Sequence, residues 1–153
     1  MDNQNQDQSQ GIEMQVVQIQ EMNFALDESL WTLKDIDRDD LDVQMGIKFQ
    51  PIMRENHMSI SVKVYYRYKI DGEMKPIMSI EIATLFLIVD MDKHIENKET
   101  QFNDKSNIIP SLLNVAIGAT RGFLAAKVSG TILSKYPLPL MDVNEVLSTV
   151  RPQ

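Results

Sequence analysis

The chain of 153 residues contains no cysteine, which excludes disulfides, thiol catalysis and metal sites ligated by cysteine. Residues 1–10 have neither a basic start nor an apolar core, so they do not resemble a signal peptide. No apolar run reaches the roughly 18 residues that a membrane-spanning helix requires. From these absences we expect a cytoplasmic protein without membrane insertion.

Motifs of catalysis and ligand binding are also missing. The sequence contains no phosphate-binding glycine loop and no nucleophile or zinc-protease motif. Its two histidines, His57 and His94, fall in predicted loops without partners at the spacing of metal ligands. Residues 35–46 match the first three ligand positions of a calcium-binding loop but lack its glycine and its final glutamate. We therefore expect no cofactor, no metal and no enzymatic activity.

Positive charge is scarce as well. With 15 Lys and Arg against 22 Asp and Glu, the net charge is −7 and the pI about 4.8. Non-specific binding to nucleic acid or to an anionic membrane depends on clustered Lys and Arg, so neither is expected. An acidic protein can still bind an apolar or a basic polypeptide. The hydrophobic fraction of 43% is ordinary for one globular domain, expected at residues 11–150 after a disordered polar tail at residues 1–10.

Four segments alternate apolar and polar side chains, the pattern of antiparallel strands with one packed and one wet face. They are residues 14–26, 43–49, 58–68 and 76–90. In the first, the apolar positions change from odd to even, which predicts a bulge near Gln20 and Glu21. Asp71-Gly72 predicts a tight hairpin turn between the last two. Because the last strand becomes continuously apolar after Leu85, we expect both of its faces to be covered there.

Residues 108–130 carry apolar side chains at helical spacing and predict a long helix, with Ser106 and Asn107 as possible caps and Pro110 in its first turn. Small residues recur along one line of this helix, at Gly118, Gly122 and Ala126. This line has two interpretations: tight packing against the chain's own sheet, or contact with the same helix of a second subunit. Spacing alone favours the first.

The remaining segments connect these elements. Residues 27–42 hold the only tryptophan, Trp31, and predict an ordered, packed connection, whereas residues 91–107 predict a polar loop. Pro137 and Pro139 keep residues 131–140 extended, and Asp142 can cap a short last helix. The predicted fold class is α+β, with a four-stranded antiparallel sheet followed by a long helix and a short C-terminal helix.

This order of elements resembles the SecB family of export chaperones. The family's first strand has the form Q-x-x-x-I-x-x-x-(D)-[IF]-x-[FL]-E, read here as Gln15, Ile19, Asn23, Phe24, Leu26 and Asp27. An aromatic-bearing crossover, an alternating strand (DVQMGIKF), a helix ending in a small-residue turn (SGT) and a final helix (MDVNEVL) follow in the same order. The resemblance spans nearly the whole chain and is carried by pattern more than by identities.

The resemblance implies a dimer of dimers through the long helix, which makes the second interpretation of the Gly118, Gly122 and Ala126 line the better one. It also implies an apolar groove that holds unfolded polypeptide without ATP, and the ten methionines suit a surface that fits many apolar partners. The groove positions implied are Trp31, Val43, Met45, Ile47, Ile132, Tyr136, Leu138 and Leu140. The other interpretation of these residues is that they close the protein's own core.

Two departures from the family bear on export. In the family, acidic residues of the first strand contact the translocase motor ATPase; here Asp27 keeps one position and Asn23 occupies the other. The family's longer C-terminal tail is also missing. Holding of clients is therefore expected more firmly than export. A chaperone dedicated to one client, as in toxin–antitoxin–chaperone systems, an oligomeric binding domain without holding activity, and an enzyme or small-ligand protein on the same fold remain the alternatives.

Overall fold

The computed structural model describes residues 11–150; the tail at residues 1–10, predicted to be disordered, lies outside them. One antiparallel sheet has the strand order β1-β4-β3-β2. The strands are β1 (Met14–Leu26), β2 (Leu41–Ile52), β3 (His57–Ile70) and β4 (Glu73–Ile88). A long helix and a short C-terminal helix follow. The predicted fold class is confirmed, and β1 and β2 are the two edges of the sheet.

The β3–β4 hairpin turns at Asp71 and Gly72, as predicted. Their φ angles of 53° and 81° are both positive, as a type I′ turn requires. Even-numbered side chains of β3 and β4, such as Ile60 and Ile82, are fully buried on one face of the sheet. On the opposite face of β4, Leu85 and Leu87 are only half-buried. The expectation that both faces are covered there is wrong for a single chain.

Strand β1 is irregular along its length. Its pairing with β4 shifts register between Val16 and Gln18 and again between Glu21 and Asn23. The second shift confirms the predicted bulge, two residues beyond Gln20. The residues that the shifts leave over, Val17 and Met22, are 46% and 54% exposed, since a bulged residue has no partner opposite it.

Helix α2 (Ile109–Lys127) packs against the two central strands, β3 and β4. It lacks the outermost residues of the predicted span, and Pro110 lies in its first turn as expected. The predicted caps, Ser106 and Asn107, are wrong. The Asp104 carboxylate accepts hydrogen bonds from the backbone N–H groups of Ile108 and Ile109, at 3.0 and 2.8 Å, where a negative charge is favoured by the helix dipole.

The segment at residues 91–107, predicted to be a polar loop, is structured. It forms a one-turn helix, α1 (Met91–His94), and a two-stranded hairpin of β5 (Ile95–Asn97) and β6 (Phe102–Asp104). Met91 and Ile95 are buried. Strands of three residues are too short to display the alternation from which strands are recognised in a sequence, so the prediction was wrong here.

The C-terminal part runs back along α2. A 3₁₀ turn at Ile132–Lys135 replaces the first half of the predicted extended segment, and the chain is then extended through both prolines. The last helix is α3 (Val143–Val150). Asp142 caps it as predicted, accepting a 2.9 Å hydrogen bond from the N–H of Asn144.

Two tyrosine hydroxyls join distant segments at one end of the sheet. Tyr66 of β3 donates to the carbonyl of Tyr136 at 2.7 Å, and Tyr136 donates to the carbonyl of Ile36 at 2.9 Å. The C-terminal segment is therefore bonded both to the sheet and to the β1–β2 connection. Burial raises the pKa of Tyr66 to about 12, because an ionised phenol is poorly solvated there.

These bonds predict how stability depends on alkaline pH. Tyr66 titrates near pH 10 in the unfolded chain and near 12 in the fold, so its contribution is complete below pH 10 and is lost between 10 and 12. Tyr66→Phe should lower the free energy of unfolding by about 1 kcal/mol at pH 7, since it removes the hydrogen bond to the partly buried carbonyl of Tyr136. It should also flatten the decline above pH 10. Urea unfolding at pH 7 and above pH 10 measures this, with Tyr65→Phe as control. If the free energy of unfolding of Tyr66→Phe declined with pH as steeply as that of the wild-type protein, the prediction would be contradicted.

Candidate peptide-binding groove

The connection between β1 and β2 crosses one end of the sheet, because these strands are its opposite edges. It contains two 3₁₀ turns, Glu28–Trp31 and Arg38–Asp40. Each turn is capped by the preceding aspartate: Asp27 accepts from the N–H of Ser29 at 2.9 Å, and Asp37 accepts from the N–H of Asp39 at 3.1 Å. The connection is ordered, as predicted.

Trp31 stands outward from this connection. Its neighbour Leu30 is 1% exposed and fixes the turn to the core, whereas Trp31 is 65% exposed; farther along the connection, Ile36 is also buried, at 3%. An exposed tryptophan on an anchored turn combines a large apolar area with little conformational freedom left to lose. These are the properties of an interface anchor.

The C-terminal segment lies beside this turn. The 3₁₀ turn at Ile132–Lys135 contacts Glu28–Trp31. Beyond it, the Arg121 guanidinium of α2 donates to the carbonyls of Leu138 and Pro139, both at 3.0 Å. Together with the bond from Tyr66, these contacts hold the extended segment at three carbonyl groups, so it forms one wall of the candidate groove.

Strand β2 contributes a row of apolar side chains next to the wall. Val43, Met45 and Ile47 point to the same face of the sheet as the buried residues of β3 and are half-buried. As an edge strand, β2 pairs with β3 on one side, and no other described strand pairs with its free side. Its free N–H and C=O groups are available to an added strand.

The eight groove residues predicted from the sequence therefore have different environments. Val43, Met45, Ile47, Ile132 and Tyr136 are half-buried against the core. Trp31 is exposed, and Leu140 is 91% exposed at the end of the extended segment. Leu138 is 2% exposed and packs into the core. The exposed pair thus stands on two separate segments, both fixed to the body of the protein.

The two positions matched to the family's motor contact lie on β1 and just after it. Asn23 faces away from α2, opposite Glu81 of β4, and Glu81 is paired on its other side with Lys63 of β3. Asp27 is exposed, and hydrogen bonding by Ser29 lowers the pKa of its carboxyl. On this face of the sheet, the cross-strand neighbours of Asn23 are therefore one acid, Glu81, and one base, Lys63.

The polar residues considered for metal binding have local roles. Asp35 and Asp37 accept hydrogen bonds from nearby backbone N–H groups. His57 lies 3.3 Å from Glu55, and His94 Nδ1 lies 2.8 Å from Ser106 Oγ. Within residues 11–150, no three carboxylates or imidazoles are grouped as metal ligands would be.

The line of small residues on α2 points away from the sheet. Gly118, Gly122 and Ala126 are exposed, and a Cβ added at either glycine would meet nothing within 4 Å. Packing against the chain's own sheet, the interpretation that spacing alone favoured, is therefore wrong. Val115, 44% exposed, extends the same face.

Sequence reasoning missed the two side chains that fix the wall, Tyr66 and Arg121. For Arg121 a signal was present, since it is the only charged residue between Pro110 and Ala126 in an otherwise apolar helix. A charge in that setting indicates a specific partner. Tyr66 carried no such signal, because it fits the alternation of β3 as an ordinary strand residue.

No protein-family model matches this sequence, and no curated protein matches it. Among solved structures, the chain is similar to Mycobacterium tuberculosis Rv1957, a SecB-like chaperone solved in complex with a ChAD peptide from the Rv1956 HigA1 antitoxin. The TM-score is 0.49 and the sequence identity 11%, over 84% of this chain and 88% of that chain. This similarity is too distant to transfer a function, so we infer function from the chain's own residues and geometry.

Proposed function

We propose that this protein is an ATP-independent chaperone that holds unfolded polypeptide in an apolar surface groove. The observation that carries the proposal is the exposure of Trp31 on a turn whose neighbour Leu30 is buried. Strand β2 and the extended segment ending at Leu140 supply the floor and wall. The resemblance of the sequence to the SecB family points to the same activity.

The energetics suit an extended, variable client. Binding releases water from apolar surface, at roughly 0.8 kcal/mol per buried CH₂ before ordering costs. The wall is already ordered by its three carbonyl bonds, so the protein loses little freedom on binding. Such a site tolerates changes of client sequence and rejects highly charged peptides. The sequence has no nucleotide-binding motif. We also propose a cytoplasmic location for the protein.

We further propose that the protein is a homo-oligomer, a dimer of dimers with the line of Gly118, Gly122 and Ala126 at an interface. By length and composition alone α2 could cross a membrane, a test that core helices of soluble proteins also pass. One of its faces packs on the sheet, and the face with the small residues is bare. A second copy would cover this face and let two helix backbones approach closely.

The same interface extends onto β1. Val16 and Ile19 lie on the side of the sheet that α2 covers and are 43% and 40% exposed. The ion pair of Lys127 with Glu21, at 2.8 Å, shows that the end of α2 reaches β1. We propose that the same partner copy also covers these exposed side chains of β1.

Delivery of clients to an export motor is a separate proposal, and we consider it the weaker one. The neutral Asn23 and the Glu81–Lys63 pair beside it give a basic motor surface little to attract it. This favours, as second candidate, a chaperone of the same kind dedicated to one client. An oligomeric binding domain without holding activity is the outcome if the next prediction fails.

The wild-type protein should suppress aggregation of an unfolded client at near-stoichiometric ratio without nucleotide, and an apolar peptide should shift the fluorescence of Trp31. Trp31→Ala should weaken peptide binding at least about tenfold, as loss of a central aromatic anchor does, without changing oligomer mass. Met22→Ala, also an exposed apolar residue but on the far edge strand, is the control. Unchanged aggregation at equimolar protein, with no peptide response of Trp31, would disprove holding activity.

Gly122→Leu should lower the oligomeric state, as measured by light scattering. The protein concentration is tens of micromolar, about the range in which obligate oligomers stay assembled. Helix content should be retained, because in a single chain the new side chain meets open space and improves helix propensity by about 0.5–1 kcal/mol. Gly46→Leu adds the same bulk on the opposite face of the sheet and should leave the mass unchanged. A monomeric wild-type protein would refute the interface.

Asn23→Asp should strengthen association with the cognate motor ATPase and make it more sensitive to salt, because exposed charges are screened. Gln15→Asp adds the same charge to the same strand and face, far from Asp27, and should have little effect. Binding constants at low and high ionic strength measure both. Tight, salt-insensitive binding by the wild-type protein would show that Asn23 does not weaken the contact.

A further inference from the structure

A second concave site lies at the other end of β2, away from the crossover. It encloses about 780 Å³ between β2, the β5–β6 hairpin, the start of α2 and α3. That volume is within the range of ligand-binding pockets. Its apolar lining consists of Ile47, Phe49, Phe102, Ile109, Pro110 and Leu147.

This lining is unfinished in the single chain. Ile47, Phe49, Phe102 and Leu147 pack against the core on one side and are only half-buried. Phe49 and Phe102 meet edge to face, with ring centroids 5.7 Å apart, which holds the hairpin against β2. The surface that these side chains leave exposed faces the cavity, and an apolar group placed there would complete their burial.

The rim suits a peptide backbone. Gln101, Asn107, Asn144 and Ser148 line the cavity with neutral donors and acceptors and are exposed. Of the lining charges, the Asp104 carboxylate already binds two N–H groups of α2, which leaves Lys48. One cation is a poor basis for binding a phosphate, whereas the side-chain amides can pair with the N–H and C=O groups of a passing chain. The Ser148 hydroxyl donates to the Glu145 carbonyl at 2.6 Å and keeps its acceptor capacity for a client N–H.

The cavity is continuous with the groove through β2. Ile47 belongs both to the row that begins at Val43 and to the cavity lining. From Val43 to Phe49 the strand advances about 20 Å, at roughly 3.3 Å per residue. An extended polypeptide that lies along this edge from the Trp31 end therefore reaches the cavity.

We propose that the cavity is a second anchor site for the client, and that it takes an aromatic or large aliphatic side chain of an extended polypeptide whose first apolar side chain contacts Trp31. This inference rests on the proposed function. It predicts that clients carry two apolar residues at least about six positions apart, joined by a segment that contributes mainly its backbone.

Two labelled peptides test the proposal: one with two phenylalanines separated by about eight uncharged polar residues, and one with the second phenylalanine replaced by serine. By fluorescence anisotropy, the wild-type protein should bind the first at least about tenfold more tightly. Ser148→Phe adds an aromatic ring to the cavity lining on α3, where it competes with the second phenylalanine, and should reduce this advantage. Thr149→Phe, the next residue on α3 and outside the lining, should keep it. Asn144→Phe adds a ring at another position of the lining and covers the case in which Ser148→Phe misfolds.

The outcomes separate the two proposals. If both variants of the lining keep the advantage while Trp31→Ala weakens both peptides, the second anchor site is overturned and the proposed function stands. If neither peptide binds the wild-type protein, both the proposed function and the second anchor site are refuted. Loss of the advantage in Thr149→Phe as well would assign the effect to α3 in general and overturn the site.

Discussion

The width of one helix governs this structure. An α-helix with its side chains is about 10–12 Å across, and neighbouring strands are about 4.8 Å apart, so a single helix covers about two strands. Here α2 covers β3 and β4, the central pair of a four-stranded sheet. Both edge strands keep apolar side chains that α2 cannot bury: Val16 and Ile19 on β1, and the row from Val43 on β2. The apolar side chains of both edges are therefore left to be covered by groups from outside the sheet. We have proposed a second copy of the chain at β1 and the client at β2.

Much of the fold could be predicted, because its large elements repeat a pattern over many residues. Strands of 12 to 16 residues and a helix of 19 give alternation and helical spacing room to appear. The strands of the β5–β6 hairpin have three residues each, too few to show alternation. The hairpin also packs, through Phe102, on Phe49, which is distant in the sequence. The cavity beside this hairpin was therefore beyond reach of the sequence.

The groove was predictable in outline but not in detail. The apolar row of β2 follows from alternation, and Trp31 was expected to be packed or to line a groove. That Trp31 is exposed while Leu30 is buried depends on the rotation of a single 3₁₀ turn. Leu138 and Leu140 look equivalent in the sequence, yet Leu138, whose carbonyl accepts a hydrogen bond from Arg121, is buried and Leu140 is exposed. Hydrogen bonds between a side chain and a distant backbone group leave no periodic pattern in the sequence from which they could be predicted.

The bulges of β1 have a consequence for the proposed binding of unfolded chains. A regular, apolar edge strand invites open-ended strand addition, the first step of fibril growth. The ladder of β1 is interrupted twice within 13 residues, whereas β2 pairs with β3 over 12 residues without a shift. A bound polypeptide would find a continuous hydrogen-bonding edge on one side of the sheet only. If β2 takes up a client strand as proposed, the interrupted ladder of β1 gives no equally regular edge for another strand on the opposite side of the sheet.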